Sequence, residues 1–137
     1  MYTQLQLRDS DRPPVNVATL GRMKAQGEKI ASLTCYDASF AALVDESGAD
    51  VVLLECIPSQ LGAEITAELH VPVIGIGAGP DTDGQILVLY DVLDITPGRK
   101  PRFVHNYMAG HDSPLAALKS YVEAVKSRAY PAPEHCF

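Results

Sequence analysis

Glu55 closes the apolar run Asp50–Glu55 (DVVLLE), and the stretch Val71–Gln85 (VPVIGIGAGPDTDGQ) passes from an apolar segment straight into Gly75, Gly77 and Gly79. A carboxylate at the end of an apolar strand is partly desolvated, which is the setting of a general base; the plainer reading is an acid facing solvent. The three glycines let the backbone turn sharply and approach a ligand closely, and their N–H groups could receive a carboxylate or phosphate. The spacing GxGxG followed by Pro80 is not a dinucleotide fingerprint, because no third glycine opens a helix three residues on. Here the plainer reading is a tight strand-to-helix turn. In α/β folds ligands sit at the carboxyl ends of strands, where both features fall.

Other side chains are weighed the same way. Tyr36 offers a hydroxyl to a substrate, whereas Asp37 has the type and place of a helix cap. Asp81, Asp83, Asp91 and Asp94 form an acidic group near the glycines that could attract a divalent ion, but loop acids of this kind are more often solvated. His70, His105, His111 and His135 are scattered and read as surface residues. Cys56 has no neighbouring His or Lys and reads as an inert core residue rather than a nucleophile.

The elements that position these residues follow from periodicity. Residues 1–14 are polar, end in Pro13-Pro14 and read as a loose arm. Val15–Gln26 fits a helix stopped by Gly27, with Val17, Leu20, Met23 and Lys24 at helical spacing. Lys29–Thr34 reads as a strand. Asp37 caps a helix over Ala38–Ser47 with Phe40, Leu43 and Val44 on one face. Asp50–Glu55 is a second strand, apolar as a strand covered on both faces would be. Pro58 and Ser59 begin a helix with Leu61, Ile65 and Leu69 inward, and Val71–Ile76 is a third strand. Gln85–Leu93 is apolar enough for a strand, but a short helix packed behind the third strand is the preferred reading. Ser113-Pro114 starts a last helix, Leu115–Arg128, with Leu118, Tyr121, Val122 and Val125 as its stripe. Alternating strands and helices predict a parallel sheet of about three strands.

Composition narrows the function classes. A net charge of −6 and a lone basic cluster, Arg99-Lys100-Pro101-Arg102, leave no footprint for nucleic acid. No apolar run is long enough for a membrane span. Cys35, Cys56 and Cys136 fit no disulfide framework or metal spacing, so a reduced, cytoplasmic setting is expected.

Two blocks then carry a resemblance. KIASLTCYDASFAALVDESGADVVL (29–53), and LLECIPSQLGAEITAELHVPVIGIGAGPDTDGQ with its continuation to Met108, resemble the ketopantoate (3-methyl-2-oxobutanoate) hydroxymethyltransferase family; the ending SYVEAVKSRAYPAPEHCF is similar too. The resemblance implies a (β/α)8 TIM barrel of the phosphoenolpyruvate/pyruvate-like type, homo-oligomeric when intact. It implies Mg²⁺, and hydroxymethyl transfer from 5,10-methylenetetrahydrofolate to the keto acid 3-methyl-2-oxobutanoate, giving 2-dehydropantoate. Glu55 matches the base that removes the C3 proton; Tyr36, Gly75, Gly77 and Gly79 are the substrate contacts expected from the residues themselves.

A full barrel takes about 250 residues, so this chain reads as a single truncated barrel-derived domain, 15–137, joined near 51–55. Gly48-Ala49-Asp50-Val51-Val52-Leu53 serves equally as the start of the family's second or seventh strand. At the join Cys56 stands where the resemblance places a metal-binding Asp, and no metal ligand is assigned. The alternatives are an inactive remnant or partner subunit of intact copies, and a small anion-binding α/β module built on the glycines.

Overall fold

The structure is a computed structural model that describes residues 12–137. Of the expected arm, residues 1–11 lie outside the described residues.

Helix α1 (Val17–Gln26) is capped by the Asn16 side chain and ended by Gly27 in the left-handed region. Strand β1 (Ser32–Cys35) leads to α2 (Ala38–Glu46), whose N-cap is Asp37, accepting from the Phe40 N–H at 2.9 Å. Next come β2 (Val51–Glu55), α3 (Ser59–Glu68) and β3 (Val73–Ile76). A two-residue strand β4 (Gly84–Gln85), a short helix α4 (Leu89–Val92) and helix α5 (Pro114–Lys126) complete the order, before a 3-10 turn at Pro133–His135. Ser113 caps α5 and Pro114 starts it, as the sequence predicts.

The strands form one parallel sheet in the order β1-β2-β3-β4. The sequence predicts three strands; the fourth lies at the start of the segment for which a helix is preferred over a strand. Gly84 and Gln85 pair with Ile74 and Gly75, and the helix begins four residues later. So short a strand carries no periodic signal of its own.

Register puts Cys35, Val52, Leu54 and Val73 on one face, where they pack with Ala41, Ile57, Ile65 and Val71 as the main core. Leu54, Val52 and Val73 are fully buried, each contributing about 1.5–3 kcal/mol. Leu61, Ile65 and Leu69 face this core as expected. Phe40 and Leu43 do not: both are exposed, and α2 instead buries Ala41, with Ala38 and Val44 beside it. Small residues on that row let the helix lie close to the sheet, which rotates the larger side chains outward.

A second cluster joins Val92, Tyr107, Ala117 and Tyr130, with Leu118, Tyr121 and Val125 of α5 packed on it. Val122, predicted in the same stripe, is exposed. The stripe is narrower than the periodicity suggests, centred on Ala117 and Tyr121. Among the described residues no helix is long and apolar enough to cross a membrane.

Candidate active site at the strand ends

Three neighbouring strand ends meet at the carboxyl edge of the sheet. Tyr36 follows β1, Glu55 ends β2, and Gly77 follows β3. Parallel pairing aligns them, with Cys35 beside Leu54 and Glu55 beside Ile76. The pairing continues past the strands: the Cys56 N–H donates to the Ile76 carbonyl at 2.9 Å and the Ile57 N–H to the Gly77 carbonyl at 3.1 Å. The glycine turn is thereby stitched to the residues that follow Glu55.

Glu55 is half-buried, and its Oε2 accepts a hydrogen bond from the Tyr36 hydroxyl at 3.1 Å. That bond to the carboxylate, and then its negative charge, hold the Tyr36 phenol above its usual range. Cys56 has φ 51 and is exposed, not a core residue as its apolar neighbours suggest. Desolvation first and Glu55 second push its thiol up, so it stays neutral and is no activated nucleophile.

The glycines are buried, and side chains of the protein itself pack against them. A Cβ on Gly79 would lie 2.6 Å from Ser59 Cβ, and one on Gly77 would lie 2.6 Å from the Phe103 ring; both have positive φ. At Gly75 the obstacle is the Thr82 hydroxyl at 2.8 Å. The close approach is thus made by the protein's own side chains. Gln85 Nε2 secures the turn, donating to the Gly79 carbonyl at 2.9 Å and to Thr82 Oγ1 at 2.9 Å.

The acids near the glycines are mostly exposed, as expected, and three of them also accept hydrogen bonds within the chain. Asp83 accepts from the Val73 N–H at 2.9 Å, Asp91 accepts from Thr96 Oγ1, and Asp94 pairs with Lys100 at 2.8 Å and accepts from Asn106; Asp81, Asp83 and Asp94 are exposed and Asp91 is half-buried. The histidines are not all on the surface. His135 is half-buried, its Nδ1 accepting from the Ala132 N–H, and the Nδ1 of His111 is buried.

Sequence reasoning also missed the tail. Ser59 donates from its N–H and its hydroxyl to the Phe137 main-chain oxygen, at 3.0 and 3.2 Å, so the end of the chain lies beside the glycine turn. Arg102 reinforces this by donating to the Glu134 carbonyl and lying over the Phe137 ring. No local pattern announces a contact across such a sequence separation.

Residues 14–54 and 44–133 both match the family model for ketopantoate hydroxymethyltransferase, so 44–54, which holds β2 up to Leu54, is matched twice. The chain belongs to the ketopantoate hydroxymethyltransferase family. Among its relatives, the 3-methyl-2-oxobutanoate hydroxymethyltransferase 2 of Hahella chejuensis (strain KCTC 2396) is 50% identical over 124 residues, 90% of this chain and 47% of the relative. The 3-methyl-2-oxobutanoate hydroxymethyltransferase of Alkalilimnicola ehrlichii is 51% identical over 124 residues, 90% of this chain and 44% of the relative. The chain therefore spans about half the length of the family members it matches.

Proposed function

We propose that this chain carries the proton-abstracting part of a hydroxymethyltransferase that moves a one-carbon unit from 5,10-methylenetetrahydrofolate to 3-methyl-2-oxobutanoate. The observation that carries the reading is Glu55, held by Tyr36 where three strand ends meet. Tyr36 occupies Oε2 and leaves Oε1 to take the proton from the carbon beside the keto group. Water cleaves the carbon–nitrogen bonds of the folate, releasing the one-carbon unit as formaldehyde and leaving tetrahydrofolate; the enolate carbon attacks that formaldehyde, and the alkoxide formed takes the proton held by Glu55 to give 2-dehydropantoate. The glycine turn offers main-chain N–H groups to the substrate carboxylate.

The double match over 44–54 supports a barrel segment in which β2 combines two of the family's strands. The cytoplasm suits three free thiols.

The family's Mg²⁺ does not fit the residues present. Among the described residues no three His, Cys, Asp or Glu side chains converge to hold a metal ion. At the position the resemblance gives to a metal-binding Asp stands Cys56, whose thiol is kept neutral and which offers a hard cation no oxygen. No step is routed through the ion. This observation favours a second reading, a chain with turnover severely reduced that acts as a remnant or as a subunit beside intact copies.

Two measurements separate these readings. Keto-acid binding, followed by NMR, is expected to saturate and to perturb Tyr36, Glu55, Gly77 and Gly79; binding that is absent, or elsewhere, would overturn the site. Formation of 2-dehydropantoate is expected to be no higher than in Glu55→Ala. Turnover well above that control would discard the reduced-activity reading.

A further inference from the structure

Among the described residues β1 is an edge strand, with no strand paired on its outer side. The Ala31 carbonyl accepts from Asp50 and Val51 on the β2 side, so the alternate residues Ser32 and Thr34 turn their N–H and C=O groups away from the sheet. None of Ser32–Cys35 is Pro or charged, and no bulge blunts the strand; these are the devices that keep edges apart. Leu33 lies on the helix-covered face beside Val52, yet is 50% exposed where Val52 is 0%. Ile30 is exposed at the start of the same edge.

From this edge we infer that the chain forms a two-fold dimer in which β1 pairs antiparallel with β1 of a second copy. A two-fold axis perpendicular to the sheet keeps the helix-covered faces on one side. Same-face residues must then oppose each other, and Leu33 meets Leu33 of the second copy on the axis. Ser32 and Thr34, whose polar groups point outward, become the hydrogen-bonded pair, and Leu33 falls in the closer, non-hydrogen-bonded position. Charge selects this register. Centring on Leu33 sets exposed Lys29 of each copy against exposed Asp37 of the other, so opposite charges meet at both ends of the ribbon. Self-complementarity of this kind closes the assembly at two copies. β4 is less suited to such pairing, because Tyr121 donates to the Gln85 carbonyl at 3.2 Å.

Sedimentation equilibrium of the full chain tests the proposal. The expected result is reversible association to twice the 14.7 kDa monomer, weakened by salt. Leu33→Lys sets like charges face to face and is expected to weaken association at least about tenfold, with an unchanged circular dichroism spectrum. In a background of Cys56→Ser and Cys136→Ser, Leu33→Cys is expected to cross-link two chains under mild oxidation, because non-hydrogen-bonded cross-strand pairs have Cα atoms about 4.5 Å apart. A monomer at all concentrations would overturn the proposal. So would a dimer that keeps its affinity in Leu33→Lys, or one that Leu33→Cys fails to cross-link.

Discussion

The Tyr36 hydroxyl donates to Glu55 Oε2 at 3.1 Å, joining the ends of two neighbouring parallel strands. The bond fixes one carboxylate oxygen and raises the phenol's ionisation above its usual range, the hydrogen bond contributing more than the charge. Replacing the carboxylate with an amide removes the charge that opposes ionisation. Glu55→Gln is therefore expected to lower the Tyr36 titration midpoint toward the ordinary tyrosine value, read by NMR of the labelled ring. A midpoint that stays put would mean that the two groups do not interact in solution.

The glycine turn makes a different demand. Any Cβ at Gly79 meets Ser59 backbone and side chain, and Gly79 also has φ 86. A left-handed conformation costs a non-glycine residue about 1–2 kcal/mol, and overpacking adds about 1–3 kcal/mol. Gly79→Ala is expected to destabilise the chain by about 2–5 kcal/mol in chemical denaturation. Gly98→Ala, with φ 85 but open space around its Cβ, should lose only the conformational part. Equal losses at the two positions would remove the packing argument.

Much of this architecture is legible from the residues. The Gly27 stop of α1, the Asp37 and Ser113 caps, and the apolar run at β2 act locally, so their sequence signatures survive folding. Glu55 is legible because it interrupts apolar residues at a strand end. Its partner is less so: Tyr36 stands out as a hydroxyl at a strand end, but only the β1–β2 register brings it to Glu55 rather than to a ligand. β4, the exposure of Phe40 and the docking of Phe137 on Ser59 depend on tertiary geometry and leave no local periodicity. The glycines show the opposite case, since backbone freedom is predicted correctly while its cause, Ser59 and Phe103, lies far along the chain.

Asp50 is the buried charge of the described residues, and its neighbours are fully assigned. Oδ1 accepts from Arg12 Nη2 at 2.7 Å and Oδ2 from the Ala31 N–H at 2.9 Å, while Arg12 also donates to the Ala49 carbonyl. Asp50→Ala strands the Ala31 donor and leaves Arg12 without its carboxylate. Because Arg12 keeps partial contact with water, the cost falls below that of a fully buried pair, at about 2–3 kcal/mol. Arg12→Ala is expected to cost less, since Asp50 retains the Ala31 N–H. Urea midpoints of the two variants check the order, and a larger loss in Arg12→Ala would reverse the assignment.

The tyrosines of the second cluster set the behaviour at high pH. Tyr107, Tyr121 and Tyr130 meet edge to face at 5.5–6.1 Å. Burial is the main cause that pushes Tyr107 up to about 12 and raises Tyr121 and Tyr130 as well. A group whose folded-state value is raised holds its proton more tightly in the folded chain. Its contribution is therefore complete below the unfolded value of about 10 and is lost as pH climbs from there toward the folded value. The urea midpoint is expected to stay level with respect to these groups up to about pH 9 and to fall steadily above pH 10. Tyr130→Phe keeps the ring but removes the hydroxyl that donates to the Phe103 carbonyl at 2.6 Å. The variant should lose about 1–3 kcal/mol at neutral pH, because that carbonyl is left unpaired in a buried site. It should also show a shallower alkaline decline, because one of the three raised groups is gone. A variant with the same alkaline slope as the parent would assign the decline to groups outside this cluster.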